Sequence, residues 1–250
     1  TTAAVTAALA LMLSLLGIAP GSPIAAAGAD PTPAADPAPT AAMPVVSAGY
    51  SHSCGIRVDD TGTCWGTNGD GESPTTLAGT WTQLHAGQFF TCGIRGDSTA
   101  TCWGYEAASG LLGDHAGTWS QIDTGREHAC GIRTDSTATC WGENVLDQAP
   151  GDLTGTWIDI TAGAEHSCGI RTDGTASCWG YNTSDPVPGT WTDLDAHAYH
   201  TCGIRTDGTA TCWGSNTYGG APGDLTGTWT DITTGADHYC GIRTDGTATC

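Results

Sequence analysis

Cysteine is the residue type whose spacing in this chain most directly suggests chemistry. The twelve cysteines form six pairs, and the two members of every pair are ten residues apart. The pairs are Cys54 and Cys64, Cys92 and Cys102, Cys130 and Cys140, Cys168 and Cys178, Cys202 and Cys212, and Cys240 and Cys250. An even number of regularly spaced thiols predicts disulfide bonds in an exported chain. Two alternatives stay open, free buried thiols and a zinc site, although a nine-residue gap is not the clustered spacing of structural zinc ligands.

Histidine and arginine recur beside the cysteines. A histidine lies two residues before the first cysteine at His52, His128, His166, His200 and His238, and Phe90 takes this position in the second pair. An arginine lies three residues after the first cysteine at Arg57, Arg95, Arg133, Arg171, Arg205 and Arg243. A ring of imidazoles could bind a metal, but groups one structural repeat apart do not converge on one ion at ~2 Å. A ring of arginines could bind an anion, but pairing with a carboxylate of the same or the next blade is the commoner use. We therefore predict buried hydrogen bonds for the histidines and carboxylate partners for the arginines.

All of these residues belong to one thirteen-residue phrase, which in its regular form reads Cys168-Gly-Ile-Arg-Thr-Asp-Gly-Thr-Ala-Ser-Cys178-Trp-Gly180. The first cysteines of successive copies are 38, 38, 38, 34 and 38 residues apart. A fixed period of this length is typical of a repeat protein, in which every repeat is one small supersecondary unit. The placement of the cysteines must therefore be derived from a single repeat.

Three short β-prone runs, separated by turn residues, make up one repeat. In the last repeat, strand A is predicted at 229–233, strand B from about 238 to 243, and strand C from about 247 onward. No stretch of the repeat has the helical periodicity that would favour another element. The ten tryptophans lie only before strand A or after the second cysteine, which predicts a core between repeats. The sequence thus predicts an all-β fold.

The turn between strands B and C follows from the register that the cysteines require. A three-residue loop pairs Arg171 with Thr175 and places Cys168 opposite Cys178, whereas a two-residue loop would pair Cys168 with Trp179. Facing residues at such a non-hydrogen-bonded site have Cα atoms ~4.5 Å apart, which is at the short end of disulfide geometry. The three-residue loop is therefore predicted, with a disulfide across it.

The last residue of this loop needs a left-handed backbone conformation, which glycine adopts at the lowest cost. Glycine occupies the position at Gly174, Gly208 and Gly246. Serine replaces it at Ser98 and Ser136, and the first turn has a different sequence, so we predict less favourable turns there.

The repeat resembles that of the regulator of chromosome condensation family. The shared pattern is a small strand, Gly-x-x-His, a hairpin with Asp-Gly at its tip and then Trp-Gly-x-Asn, and it covers residues 44–250. The resemblance implies a β-propeller, usually of seven blades. The short period, with room for three strands a blade, is also similar to the propeller-type β-lactamase inhibitory protein, a secreted bacterial member. The cysteine pairs are similar to those in the extracellular repeats of crinkly-type plant receptor kinases.

The chain departs from this pattern in three places. Met43 stands where later repeats have tryptophan, and His197 replaces the glycine that follows strand A in the other repeats. The last copy stops at Cys250, before the Trp-Gly that the pattern requires. We therefore expect six hairpins of an incomplete ring that a seventh blade would close.

The residues before the repeats are predicted to form a secretion signal and a linker. Residues 1–29 contain the apolar run 9–16, which is shorter than the ~20 residues of a membrane span, and the small residues 27–29 are typical of a signal cleavage site. The basic start of a signal peptide is missing, and a membrane anchor is the alternative. Residues 30–43 are rich in proline and alanine, which predicts an extended linker. We expect a secreted or cell-surface protein, with its repeat domain at 44–250.

Charge and motifs restrict the class of function. The chain has 26 acidic residues against seven arginines and no lysine, a formal net charge of −19, which disfavours nucleic acid as a partner. Residues 68–72 have the composition of a calcium loop but lack its full acidic ligand set. No nucleophile-elbow sequence is present. We therefore predict no catalytic residue, metal or cofactor.

Strand order separates constant residues from variable ones. In an A-B-C meander, the A–B turn and the end of strand C lie at one face, which we call the first face. The B–C turn and the start of strand A lie at the opposite, second face, where the sequence changes little between repeats. Aromatic and charged residues on variable loops are typical of protein-binding surfaces. The predicted binding residues are Tyr50, Phe89, Tyr105, Arg126, Glu127, Tyr181, Tyr199 and Tyr218.

These observations predict a secreted, non-catalytic and monomeric β-propeller that binds another protein, with inhibition of that protein as one form of the role. A structural or adhesive cell-surface repeat module is the first alternative. A propeller enzyme, for example one that acts on carbohydrate, is the second, because a fold does not determine a function.

Overall fold

Short β-prone runs separated by turn residues form strands throughout the part of the chain that the computed structural model describes. These residues are 46–106, 110–181, 183 and 187–250. Every regular element in them is a strand, and the strands form six successive antiparallel units of three or four strands, which we call blades 1 to 6. Blades 1 and 2 share one strand and so form a single seven-stranded sheet. The predicted all-β propeller is therefore confirmed. The predicted signal peptide and linker, and Met43, lie outside the described residues.

The innermost strand of each blade corresponds to the predicted strand A. These strands are β1 (Val46–Ala48), β4 (Leu77–Ala86), β8 (Trp119–Thr124), β12 (Trp157–Ala162), β15 (Trp191–His197) and β19 (Trp229–Thr234). Strand β4 is longer than the others because its first residues pair with blade 1 and its last residues form the inner strand of blade 2. Each inner strand contacts the inner strand of the next blade, so the blades follow one another around a common channel.

The hairpin of strands B and C follows in every blade. The B strands are β2 (His52–Ile56), β5 (Phe90–Arg95), β9 (His128–Arg133), β13 (His166–Arg171), β16 (His200–Arg205) and β20 (Tyr239–Arg243). The C strands are β3 (Thr61–Gly66), β6 (Ala100–Gly104), β10 (Ala138–Gly142), β14 (Ala176–Gly180), β17 (Ala210–Gly214) and β21 (Ala248–Thr249). The prediction of short blades built on three strands is thus confirmed.

A short outer strand is added to several blades. These strands are β7 (Gly113–His115), β11 (Asp152–Leu153) and β18 (Gly223–Leu225). They pair with the start of strand C in blades 2, 3 and 5, and the first part of β4 does the same in blade 1. The sequence did not predict them, because two or three residues around glycine and aspartate carry no strand periodicity.

The B–C turn has the predicted three-residue geometry. The Arg171 N–H donates to the Thr175 carbonyl at 2.8 Å, and Cys168 pairs directly with Cys178. All twelve cysteines form disulfides within their own hairpin, with Cα atoms 4.0 to 4.1 Å apart. The aspartate of each turn accepts hydrogen bonds from the N–H and the hydroxyl of the threonine two residues later, as Asp173 does from Thr175 at 2.9 and 2.7 Å.

The left-handed residue of this turn also joins successive blades. Gly174 has a φ of +82°, and Ser98 and Ser136 adopt the same conformation with φ values of +67° and +68°. The carbonyl of this residue accepts the backbone N–H of the tryptophan that begins the next inner strand, as between Ser98 and Trp119 at 2.8 Å. The two serine turns, which we predicted to be less favourable, therefore lie where one blade is hydrogen-bonded to the next.

The core lies between blades, as the tryptophan pattern predicted. Each of the first five disulfides packs against the tryptophan of the following blade, for example Cys168 and Cys178 against Trp191, which is 1% exposed. The equivalent face of blade 6 has no such cover among the described residues. Its Ile242 is 42% exposed, whereas Ile170 in blade 4 is fully buried. In the part of the chain that the structure describes, the six blades therefore do not close a ring.

Candidate functional site

Polar side chains of the inner strands join the blades around the channel. The residue four positions after the initial tryptophan accepts a backbone N–H from the next blade, as Thr161 Oγ1 does from Ala196 at 2.8 Å. Ser47 Oγ accepts the Ala86 N–H at 2.9 Å in the same way. Asp123 Oδ2 accepts the Ala162 N–H at 2.8 Å, and Asp195 accepts the Thr234 N–H. These side chains therefore stabilise the contacts between neighbouring blades.

A cavity of about 690 Å³ lies between the inner strands and forms the channel. His85 and Asp123 line it, and His85 Nε2 lies 2.8 Å from Asp123 Oδ1. Burial acts to lower the pKa of His85, but the neighbouring Asp123 carboxylate outweighs burial and raises it. His85 in turn holds the pKa of Asp123 below its usual range, although burial alone would raise that pKa. An ion pair thus links blades 2 and 3 inside the channel.

A second group of carboxyls lies on the inner strands of blades 4 to 6. Asp193 is partly buried, and burial together with the nearby Asp159, Asp195 and Asp231 raises its pKa to about 7. Burial also raises the pKa of Asp159 and of Asp195. Sequence reasoning missed this group, although the alternation of strand residues places the third and fifth residues of each inner strand on one side.

The first face forms as the strand order predicted. In blades 1 to 5, the N–H of the residue directly after the C strand donates to a carbonyl in the A–B turn, as Tyr105 does to Phe89 at 3.0 Å and Tyr181 to Glu165 at 2.8 Å. The same contact ties Glu143 to Glu127 at 2.8 Å. The A–B turns and the ends of the C strands are thus held together at one end of the channel.

The glycine after each inner strand lets neighbouring blades approach closely at this end. A Cβ on Gly49 would overlap the Gly87 carbonyl, and a Cβ on Gly125 would overlap the Gly163 carbonyl. His197 replaces the glycine in blade 5, where the strand continues to this residue and Ala198 takes a φ of +40°. The residues that follow these positions line the channel at its first-face end, which we call the mouth.

Three predicted residues form a continuous aromatic strip at this mouth, which consists of Tyr50, Phe89 and Tyr105. The ring centroids of Tyr50 and Phe89 lie 6.4 Å apart, and those of Phe89 and Tyr105 lie 6.2 Å apart. Tyr50 is 75% and Tyr105 47% exposed, and Phe89 is half-buried. Tyr50 also lines the channel. Contiguous exposed rings are unusual on a surface that contacts only water.

The other predicted tyrosines are exposed but stand apart from the aromatic strip. Tyr199 lines the channel mouth at blade 5, and it borders a small separate hollow together with Tyr218. Tyr181 is exposed beside blade 4. No ring of these three stacks on the aromatic strip in the described part of the chain. Phe90, in contrast, takes the histidine position of strand B and is fully buried in the core.

Arg126 and its neighbours form the charged part of the mouth. Arg126 Nη1 lies 3.2 Å from Glu165 Oε1, and its Nε lies 3.9 Å from Glu127 Oε1. Burial, followed by the adjoining Glu127 carboxyl, raises the pKa of Glu143. One guanidinium group is thus shared among several carboxyls, and the predicted Arg126 and Glu127 lie side by side.

The repeated histidines and arginines have structural partners. His128 Nε2 lies 2.8 Å from Ser167 Oγ of the next blade, and His166 Nε2 lies 2.8 Å from Thr201 Oγ1. This confirms the predicted buried hydrogen bonds. The guanidinium carbon of Arg171 lies 4.5 Å from the ring centre of Trp157, and four other blades repeat this stacking.

The predicted carboxylate partners of the arginines are present in blades 2, 3 and 5, where they come from the outer strand. Arg95 lies 3.4 Å from Asp114, Arg133 lies 3.7 Å from Asp152, and Arg205 lies 3.6 Å from Asp224. The stacking on tryptophan was missed. The cross-strand pair of Trp157 with Arg171 would have indicated it, had the register of strands A and B been derived.

The side-chain oxygens of Asn68 and Glu72, in the calcium-like segment 68–72, accept hydrogen bonds from backbone N–H groups of the same loop. Asn68 Oδ1 accepts the Ser73 N–H at 2.9 Å, and Glu72 Oε2 accepts the Asp70 N–H at 2.9 Å. Among the described residues, no group of three histidines, cysteines or acids has the arrangement of a metal site. No helix there is long and apolar enough to cross a membrane.

Comparisons with known proteins agree with this geometry. The profile of the regulator of chromosome condensation (RCC1) repeat matches residues 119–148, 157–185 and 193–219. A search of curated protein sequences finds no match.

Several solved structures share the fold. The ectodomain of the receptor kinase CR4 from Physcomitrella patens is 26% identical, with a TM-score of 0.68 over 81% of this chain and 58% of that one. The crinkly ectodomain of ACR4 from Arabidopsis thaliana is 23% identical, with a TM-score of 0.65 over 80% of this chain and 74% of that one. Prp20p from Saccharomyces cerevisiae is 13% identical, with a TM-score of 0.68 over 81% and 70%.

The chain thus spans little more than half the length of the moss ectodomain. Three segments of the chain therefore match the regulator of chromosome condensation repeat, and solved propellers of that repeat type share its fold.

Proposed function

We propose that this protein is a secreted, non-catalytic module that binds another protein on its first face. The observation that carries the proposal is the aromatic strip of Tyr50, Phe89 and Tyr105 beside an open channel mouth. Aromatic side chains and arginine dominate the energetics of protein interfaces, and Arg126 lies on the same rim.

The division between constant and variable residues supports this face. The B–C turns at the second face repeat the same hydrogen bonds in blade after blade, including those of Asp173 and Asp207. The first-face loops share a backbone frame but differ in their side chains. Loops displayed on a rigid scaffold are the common location of recognition residues.

Binding accounts for the channel better than catalysis does. The polar side chains of its wall accept backbone N–H groups of the next blade, as Thr161 and Asp123 do. Such groups hold the scaffold together and are not free to act on a substrate. Yeast Prp20 itself has been solved bound to Kap60, and binding to Gsp1p and histones is described for it. A propeller of this repeat type can therefore serve as a binding module.

Secretion is supported by the disulfides. Six disulfides in one chain are typical of oxidising compartments outside the cytosol. The likeness to two receptor-kinase ectodomains agrees with this location. The same likeness supports a second candidate, a structural or adhesive module at a cell surface.

A comparison of variants tests the proposed function. Immobilised wild-type protein would capture a partner from culture medium, and the variant Tyr50→Ala, Phe89→Ala, Tyr199→Ala, Arg126→Ala would be tested for its retention. We expect its affinity to fall at least about a hundredfold, because hot-spot residues each contribute 1 kcal/mol or more, roughly. Undiminished affinity would overturn the first-face assignment.

The matched control changes exposed apolar residues elsewhere. Val58 lies in a second-face turn and is 90% exposed, and Ile158 lies on an inner strand and is 55% exposed. The variant Val58→Ala, Ile158→Ala should keep the wild-type affinity. Equal losses in both variants would favour diffuse adhesion, which is the second candidate.

A further inference from the structure

The cationic side chains of this protein are distributed unequally between the two faces. The chain has no lysine, and six of its seven arginines end strand B beside the B–C turn, at the second face. Five of these six stack on tryptophan, as Arg133 does on Trp119 at 4.9 Å. Arg126 is thus the one arginine of the sequence outside the repeated phrase, and it lies at the first face.

The first face carries an excess of carboxylates over this single arginine. They lie in the A–B turns or directly after the C strands, at Glu106, Glu127, Glu143, Glu165 and Asp237. Arg126 contacts Glu165 at 3.2 Å and approaches Glu127 at 3.9 Å. Glu127 and Glu143 are held side by side by the backbone hydrogen bond between their residues. One arginine therefore pairs with two of these acids, and the first face carries more negative than positive charge.

The aromatic strip lies on the rim of the same mouth. Tyr50 and Arg126 both line the channel, so the aromatic strip and the arginine that pairs with Glu127 and Glu165 lie at one opening. An aromatic ring face attracts a cation, and a carboxylate pair forms charge-assisted hydrogen bonds with a guanidinium or ammonium group. A partner that covers only the acids would leave the rings exposed, so the surface fits a chain that has both apolar and cationic side chains.

We propose that the protein bound on the first face presents a basic segment, which places an arginine or lysine beside Glu127 and Glu143 and an apolar side chain on the aromatic strip. This inference rests on the proposed function and names its partner class. The electrostatic contacts guide the association, and the rings supply most of the apolar contact area. The burial of Glu143 against Glu127 supports it, because an incoming cation relieves the repulsion between the two carboxylates.

Selection from a random-peptide library displayed on phage tests the inference with the full chain as bait. We expect the recovered peptides to be enriched in arginine or lysine together with an apolar residue, and depleted of aspartate and glutamate. One recovered peptide would then be synthesised and its affinity measured by fluorescence anisotropy. Its affinity should fall at least about tenfold for Glu127→Gln, Glu143→Gln, Glu165→Gln.

A variant with equal charge change provides the control. Asp114, Asp152 and Asp224 are exposed acids at the second-face ends of the outer strands. The variant Asp114→Asn, Asp152→Asn, Asp224→Asn raises the net charge by the same amount but leaves the first face unchanged. Its affinity for the peptide should stay within about twofold of wild type. Thermal unfolding of both variants verifies that each is folded.

Three outcomes would overturn the inference. Equal losses in the two triple variants would show that only the overall charge matters. The recovered peptides could instead be neutral or acidic and bind the variant Tyr50→Ala, Phe89→Ala, Tyr199→Ala, Arg126→Ala more weakly than wild type. That result would contradict a basic partner but would agree with the proposed function. Recovered peptides that bind this four-residue variant with the same affinity as wild type would contradict both the inference and the proposed function.

Discussion

The Nε2 atom of His128 lies 2.8 Å from the hydroxyl oxygen of Ser167, and the contact joins two buried side chains of neighbouring blades. Burial, followed by the charge of His166, lowers the pKa of His128 to about 4. His166 has the same lowered value for the same main reason. The imidazoles of His128 and His166 are therefore neutral in the folded protein at neutral pH.

This geometry predicts that His128 makes the protein less stable in acid. The unfolded chain binds the proton below about pH 6.5 and the folded chain only near pH 4, so stability is complete above pH 6.5 and falls as the pH decreases toward 4. Over this pH range, protonation of His128 lowers the free energy of unfolding by about 3 kcal/mol. Urea unfolding from neutral to mildly acidic pH should show a shallower loss for His128→Gln than for wild type. Identical pH profiles would contradict the prediction.

Asp193 should have the opposite pH dependence. Its pKa is raised to about 7 by burial and by the surrounding carboxylates, so the folded chain holds a proton that the unfolded chain has already lost. Stability from this group is complete at acidic pH, below the unfolded value, and is lost as the pH rises through about 7. Asp193→Asn should therefore stabilise the protein by about 1 kcal/mol at alkaline pH and have little effect in acid. A loss of stability at alkaline pH would count against this account.

Most of the scaffold could be predicted because its determinants are local and repeated. Counting residues across one turn predicts that Cys168 lies opposite Cys178 and that the loop runs from Arg171 to Thr175. The first face followed from strand order alone. What the sequence did not indicate depends on contacts between blades, such as the hydrogen bond from Ala162 to Asp123 and the carboxyl group around Asp193.

The candidate site was predicted in part. Tyr50, Phe89 and Tyr105 do come together, but nothing in their spacing distinguishes them from Tyr181 and Tyr199, which stand apart. Ring contacts depend on the course of each loop after the C strand, and these loops differ in length. A binding role for the predicted residues stays a prediction.

The serine turns give a test of backbone strain at the joints between blades. Ser136 has a φ of +68°, a conformation that costs a residue with a side chain more than it costs glycine. Ser136→Gly should stabilise the protein by up to about 1 kcal/mol, because relief of strain exceeds the added entropy of the unfolded chain. Ser120→Gly, within strand β8, should destabilise it. Guanidinium unfolding measures both, and the same sign for the two changes would refute the prediction.

The disulfides should account for much of the stability of each hairpin. Replacement of Cys168 and Cys178 by alanine opens a loop of about eleven residues and should cost about 3 kcal/mol on the chain-entropy model. The terminal pair gives the comparison, because Cys250 is exposed and its hairpin has no following blade among the described residues. Its removal should cost less. Thiol labelling of the unfolded, unreduced protein should modify no cysteine, and labelling at several positions would contradict the predicted bonds.

Site-specific photocrosslinking tests the central claim most directly. A photoreactive phenylalanine analogue at position 50 or 105 lies on the aromatic strip, and one at position 58 lies in an exposed second-face turn. After incubation with the captured partner and irradiation, positions 50 and 105 should form a crosslinked product and position 58 should not. Crosslinking from position 58 alone, or equally from all three positions, would contradict a partner bound on the first face.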